Sequence, residues 1–350
     1  MKKISKKSTA PSSEGAVDLN FLGRVRSKIQ DPFFWSDWLV VVAFVFVIAF
    51  FGAIAPAEFL TLWNLNNILV AASIPAIIAV GQTFTVLTAG IDLSVSSTMT
   101  FGAVSFGLAF TNGWPLWQCV LIGTIAGTFV GLLNGLIIAK RKINDFIVTL
   151  GMLSVASGAA LVLSDGKPRQ VISESLATLA IGDKANIPYL MMVAFVIVVV
   201  AHFVLFHTRF GTHVFAVGGD PESARAMGIS VVKIKIAVYV ISGALAGFAA
   251  TLAISRIGSA EPAANTSILL NSVAAVVLGG VSLFGGRGTI FGPFIAALLL
   301  QRGIESFEDA KTFFRPSWSD LHDPFLMKDM DKAVERIELA LKNNEQILVF

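Results

Sequence analysis

Ala79–Ala103 reads AVGQTFTVLTAGIDLSVSSTMTFGA, and the rest of the chain is organised around it. An apolar segment beginning near Ile68 runs into this stretch, breaks at Ala89–Gly90, offers one carboxylate at Asp92, and resumes as small and apolar residues. A lone acid between two membrane-length segments is costly in hydrocarbon, so Asp92 is expected to face protein or a water-filled cavity rather than lipid. That makes it a candidate site residue. Gly90 lets the chain leave helical geometry, and Ser94, Ser96, Ser97 and Thr98 can satisfy the freed backbone groups, as broken helices in transporters require. The alternative is a tight interfacial loop in which Asp92 caps the next helix.

Composition points the same way. Of 350 residues, 55% are hydrophobic and 14% charged, whereas roughly a quarter are charged in soluble domains. The expectation is an all-α polytopic membrane protein with about nine membrane segments and a broken helix near Gly90. Spans are expected near 38–55, 68–88, to 110, 117–139, 146–163, 188–206, 236–255, 268–283 and from Thr289. Pro75 lies inside the second and should kink it. Residues 1–37 form a basic N-terminal segment, with Lys2, Lys3, Lys6, Lys7, Arg24, Arg26 and Lys28 set against Glu14 and Asp18. They read as a cytoplasmic, topology-setting tail rather than a signal peptide or a nucleic-acid arm. With that end inside, Lys140–Lys142, Arg209–Lys235 and Arg287 all fall on the cytoplasmic face, after spans four, six and eight.

An internal repeat supports a plan of two halves. Shifted by 190 positions, Val86, Gly90, Leu93, Phe101 and Gly102 meet Val276, Gly280, Leu283, Phe291 and Gly292. Transport paths commonly lie at such a repeat interface. Polar side chains within or beside the apolar spans nominate Gln82, Asp92, Ser94 and Asn134 for the path. Each can equally bond one helix to another. Cys119 is the sole cysteine, so no intrachain disulfide forms. His202, His207 and His213 flank a span end and read as interfacial or loop residues. No metal-ligand spacing is recognised, and Gly285–Gly288 lacks the ending of a phosphate loop. The chain is therefore expected not to be an enzyme and to carry no cofactor.

AGIDLSVSS resembles a signature of the permease subunits of bacterial ABC importers for monosaccharides, the ribose, xylose and galactoside class. NGLIIAKRKINDFIVTLG from Asn134, the stretch Gly211–Gly228, and AAVVLGGVSLFGGRGTIFG from Ala274 resemble further signatures of that family, in order. The resemblance runs from about Trp38 to about Leu299 and implies a permease core over 38–300. It implies a cytoplasmic coupling helix that docks on an ATPase subunit, the role falling here to Gly218, Asp220, Pro221, Ala224 and Gly228. A plain solvated connector is the alternative for that loop. The implied partners are the ATPase, which binds the ATP, an extracytoplasmic sugar-binding protein, a second permease copy and membrane lipid, with no nucleic acid. The implied location is the bacterial cytoplasmic (inner) membrane. Where relatives usually show acidic residues before the Ala-Ala-Val-Val run, this chain has Leu269 and Asn271.

Residues 301–350 differ in kind, with seven Lys or Arg and ten Asp or Glu. This soluble, charged tail resembles the opening of RecJ-type single-strand exonucleases of the DHH family, without the metal motif that follows there. The expectation is a truncated permease, lacking the last family helix, joined to an exonuclease-like fragment; a natural cytoplasmic extension is the alternative. Two rival functions stand beside the importer. One is an ion-coupled secondary transporter with Asp92 on the driving cation, and the other is a non-functional chimera.

Overall fold

In the computed structural model, the described residues run from Pro32 to Gln301, apart from 55–60 and 265. The chain divides into two units, 1–300 and 301–350. The exonuclease-like reading and the basic residues before 32 lie outside the described residues.

The first unit is helical. Its elements are α1 Pro32–Ile54, α2 Leu62–Leu87, α3 Val95–Thr111, α4 Leu116–Arg141, α5 Asp145–Ser164, α6 Glu174–Ile181, α7 Tyr189–His207, α8 Arg209–Gly219, α9 Pro221–Ala226, α10 Val231–Ile257 and α11 Thr266–Leu278, then α12 Phe291–Gln301. Four two-residue strands, β1 Arg169–Gln170, β2 Asp183–Lys184, β3 Ile187–Pro188 and β4 Ser259–Ala260, pair antiparallel as β1 with β4 and β2 with β3.

Five of these helices, α2, α4, α5, α7 and α10, are long and apolar enough to cross a membrane among the described residues; α3, α11, α12 and the stretch Val41–Phe50 are shorter apolar helices. The outward faces of α5 and α7 carry Val155, Val162, Phe195, Val200 and Phe203, all exposed. Such an apolar exterior suits lipid rather than water.

Several boundaries differ from the sequence reading. Helix α2 starts at Leu62, because Thr61 accepts the Asn64 N–H at 3.1 Å and so caps the helix six residues before Ile68. The helix continues through Pro75. The expected connection between the spans ending at 206 and starting at 236 is mostly helix: α8 runs through Gly219, and α10 begins at Val231. Helix α11 stops at Leu278 rather than 283, since Gly280 turns the chain at φ 78°. His202 lies inside α7, with its ring against Phe206 and Phe291, and not in a loop.

Helix α2 is the axis of the bundle, buried from Ala71 to Leu87. Beside it α4 and α10 pack backbone to backbone. Gly123, Gly127, Gly131 and Gly135 recur every fourth residue on α4 and meet Tyr239, Gly243 and Gly247 of α10. A Cβ on Gly127 would stand 2.3 Å from the Gly243 carbonyl oxygen. Small residues at this spacing allow the close approach that packs helices in lipid. The sequence reading passed over this stripe.

Candidate functional site

The connection between α2 and α3, residues 88–94, carries Asp92. Thr85 ends α2 by accepting from the Thr88 and Gly90 N–H groups, each at 3.0 Å. Ala89 takes φ 55° to make the turn. The Asp92 carboxylate is then met by three donors. Oδ1 accepts from the Ser94 backbone N–H at 3.0 Å and from Ser94 Oγ at 2.7 Å, and Oδ2 accepts from Ser242 Oγ of α10 at 2.9 Å. Asn134 Nδ2 of α4 donates to Ser94 Oγ at 2.8 Å. Gln82 Nε2 donates to the Asp92 carbonyl at 3.1 Å and to Ser272 Oγ of α11 at 3.4 Å.

Gln82, Asp92, Ser94 and Asn134 therefore belong to one network. It draws on α2, α4, α10, α11 and the 88–94 connection, and every member is buried. Gln82 and Ser272 are separated by the same 190 positions as the repeat read in the sequence. The amide oxygens of Gln82 and Asn134 find no hydrogen-bond partner among the described residues. Ser242 and Ser272 were missed from the sequence, where a hydroxyl in an apolar helix gives no signal. In this arrangement the carboxylate ties the turn to α10; it accepts the N–H of Ser94, the residue before α3, and none from the first turn of α3, so it does not cap that helix.

A second cluster lies one residue away. Ile91 presents its carbonyl to Tyr239 Oη of α10 at 3.4 Å and to Thr149 Oγ1 of α5 at 3.2 Å. Tyr239 Oη also donates to Asp145 Oδ2 at 2.9 Å, and Lys235 Nζ reaches the same oxygen at 3.3 Å. The sequence reading had not singled out Asp145, Lys235 or Tyr239 as site residues.

The five residues expected to couple to a motor adjoin these clusters without entering them. Gly218, in the last turn of α8, lies so close to the end of α2 that a Cβ there would stand 1.7 Å from the Leu87 carbonyl oxygen. Gly286 N–H donates to that same oxygen at 2.9 Å. Asp220 caps α9 by accepting the Glu222 N–H at 2.9 Å and the Ser223 hydroxyl. These bonds hold its carboxyl below the usual range: the Ser223 side chain most, then the backbone N–H groups of Ser223 and Glu222. Pro221 occupies the first turn of α9, where no N–H is needed. Ala224 is fully buried, and Gly228, at φ 82°, ends the helix.

Between α9 and the α4–α5 turn lies a groove of about 580 Å³, lined in part by Lys142, Asp145, Pro221, Arg225 and Lys235. The groove gathers basic residues from two of the three clusters seen in the sequence. The third, at Arg287, follows Gly286 against Leu87.

Membrane-length helices packed around a buried polar junction describe a multi-pass membrane protein. The profile of the branched-chain amino acid transport system / permease component family matches residues 64–321, and the chain belongs to that family. Its members are permeases, not enzymes. The ribose import permease protein RbsC of Escherichia coli (strain K12) is 37% identical over 277 residues, 77% of this chain and 86% of that protein. The D-allose transport system permease protein AlsC of the same strain is 30% identical over 289 residues, covering 81% and 89%. The fructose import permease protein FrcC of Rhizobium meliloti is 35% identical over 311 residues, 85% of each chain. No solved structure matches. The family match extends past 300 to residue 321, so the exonuclease-like reading of the tail gains no support.

Proposed function

We propose that this chain forms the sugar path of an ATP-driven importer in the bacterial inner membrane, working as a pair of copies with an ATPase and an extracytoplasmic sugar-binding protein. The observation that carries the reading is 30–37% identity to permeases named for ribose, allose and fructose, over more than three quarters of the chain. The cargo is a monosaccharide. The path is assigned to the interface where Gln82, Asp92, Ser94 and Asn134 meet, a place of hydroxyls, amides and one acid suited to a polyhydroxylated solute. Nine membrane segments, with 88–94 as a break between two of them, put the N-terminus, the groove and α9 on the cytoplasmic side. There Gly218, Asp220, Pro221, Ala224 and Gly228 form the lever on which the ATPase bears. An element held between α8 and α10 can pass a rigid rotation into the bundle.

Reconstitution with the neighbouring ATPase and binding protein tests this. The expected result is uptake of a labelled monosaccharide that needs ATP inside the vesicle compartment facing α9. Uptake persisting in energised vesicles without ATP would overturn it in favour of ion coupling at Asp92. The reading of 301–350 as a segment of different origin is a separate proposal. It rests on 17 charged residues in 50, against 32 in the preceding 300. A source gene that continues as apolar, membrane-length sequence past codon 302 would remove it.

A further inference from the structure

We propose that Asp145, Lys235 and Tyr239 are positioning residues for transport: together they latch the Gly90–Ile91 turn, and so Asp92, to the element that receives the motor's push. The inference rests on the importer reading above.

Three observations carry it. The first is connectivity. Asp145 is the first residue of α5, while Lys235 and Tyr239 are one turn apart on α10, which starts four residues after α9 ends. Any displacement of α9 is therefore delivered to Lys235 within the first turns of α10. The second is how the turn is gripped. Lys235 Nζ and Tyr239 Oη both donate to Asp145 Oδ2, at 3.3 and 2.9 Å, and the Tyr239 and Thr149 hydroxyls stand 3.4 and 3.2 Å from the Ile91 carbonyl, to which each can turn its single proton in place of its shorter bond to Asp145. Gly90 fits beneath them closely: a Cβ there would stand 2.5 Å from Asp145 Oδ2 and 2.7 Å from Tyr239 Oη. The third is the setting. The side chains of Lys235 and Asp145 are only 21% and 16% exposed, and both line the groove beside α9. A pair at that depth is screened far less than a surface pair, yet it can be reached by a change at the groove.

Helix α10 also carries Ser242, which holds Asp92 Oδ2. One helix thus meets the turn twice, with Tyr239 packed beside Ile91 and Ser242 bonded to Asp92. Movement of α10 relative to α5 must separate Lys235 and Tyr239 from Asp145, and this frees the Ile91 side of the turn.

The test uses the full chain. Hydrogen exchange of the segment 88–94 in the detergent-solubilised protein should quicken about tenfold in D145N and in Y239F, because the turn loses its anchor. In proteoliposomes with the ATPase and binding protein, D145N and K235Q should each lower sugar uptake per ATP hydrolysed by about tenfold, within the range of ordinary coupling between sites. The D145N/K235Q double variant should be no worse than either single variant, because the residues act as one unit, and D145E should recover part of the loss. Unchanged exchange in D145N overturns the latch whether or not the chain transports. Parental uptake per ATP in K235Q, or additive losses in the double variant, overturns its role in coupling. Should D145N fail to assemble with its partners, K235Q alone decides. If the parental chain shows no ATP-driven uptake, the importer reading fails, while the exchange result still decides whether the turn is latched.

Discussion

Asp92 is satisfied by three donors and reached by no cationic side chain in its own network, so its removal leaves buried donors rather than a bare charge. In D92A the Ser94 N–H and the Ser242 hydroxyl lose their acceptor. Each buried, unmet donor costs about 1–3 kcal/mol, and the thermal unfolding midpoint of the detergent-solubilised protein should fall accordingly. An unshifted midpoint would mean that the network bears no strain-free load. S242A should cost less, because the carboxylate keeps Ser94. At this scale the sequence was informative where solvation is expensive: Gln82, Asp92, Ser94 and Asn134 stand out in apolar segments, and the fold gathers them. It was silent on Ser242 and Ser272, since serine is common in membrane helices. Asp145 and Lys235 drew no notice as partners, because charges at span ends are ordinarily read as topology signals.

Among the elements, α9 is the most exposed to solution conditions. Its cap, Asp220, is held below the ordinary carboxylate range, so the sign is fixed. The capping contribution is fully present above the unfolded-state value and is lost as the pH falls through the lowered folded value. The protection of the amides within Pro221–Ala226, their exchange measured against the intrinsic rate at each pH, should therefore fall on acidification through the acidic carboxylate range. The same profile in D220A should be flat, and a flat parental profile would remove Asp220 as the cap. The α4–α10 pair is the other element-scale case. G127V puts a branched side chain where a single Cβ already falls 2.3 Å from the Gly243 carbonyl. The helices must part, and a loss of several kcal/mol, on the scale of core overpacking at about 1–3 kcal/mol or more, should appear as a depressed yield of folded protein. Apolar runs told where helices lie, but their ends were set by caps and positive-φ residues such as Thr61, Gly280 and Ser230. Composition does not reveal those.

For the whole molecule the assigned orientation has a direct check. With Cys119 replaced by alanine, single cysteines at the exposed positions Lys142 and Arg225 should label only from the ATPase side. Cysteines at Asn112 and Gly113 should label only from the opposite side. Labelling of both sets from one side would refute the topology and the lever together. The repeat shift of 190 is a reading of the sequence, and Gln82 and Ser272, which it pairs, are hydrogen-bonded at 3.4 Å. The equivalence is imperfect, because α3 begins directly at Val95 whereas α12 waits until Phe291. The extra residues include Gly285 and Gly286, which wedge against α8.

The glycine stripe has one more effect. Two helices seated main chain against main chain have no side-chain cushion to slide on, so α4 and α10 must travel as a single strut through every stage of a cycle. A covalent tie between their facing residues should then leave sugar uptake unchanged.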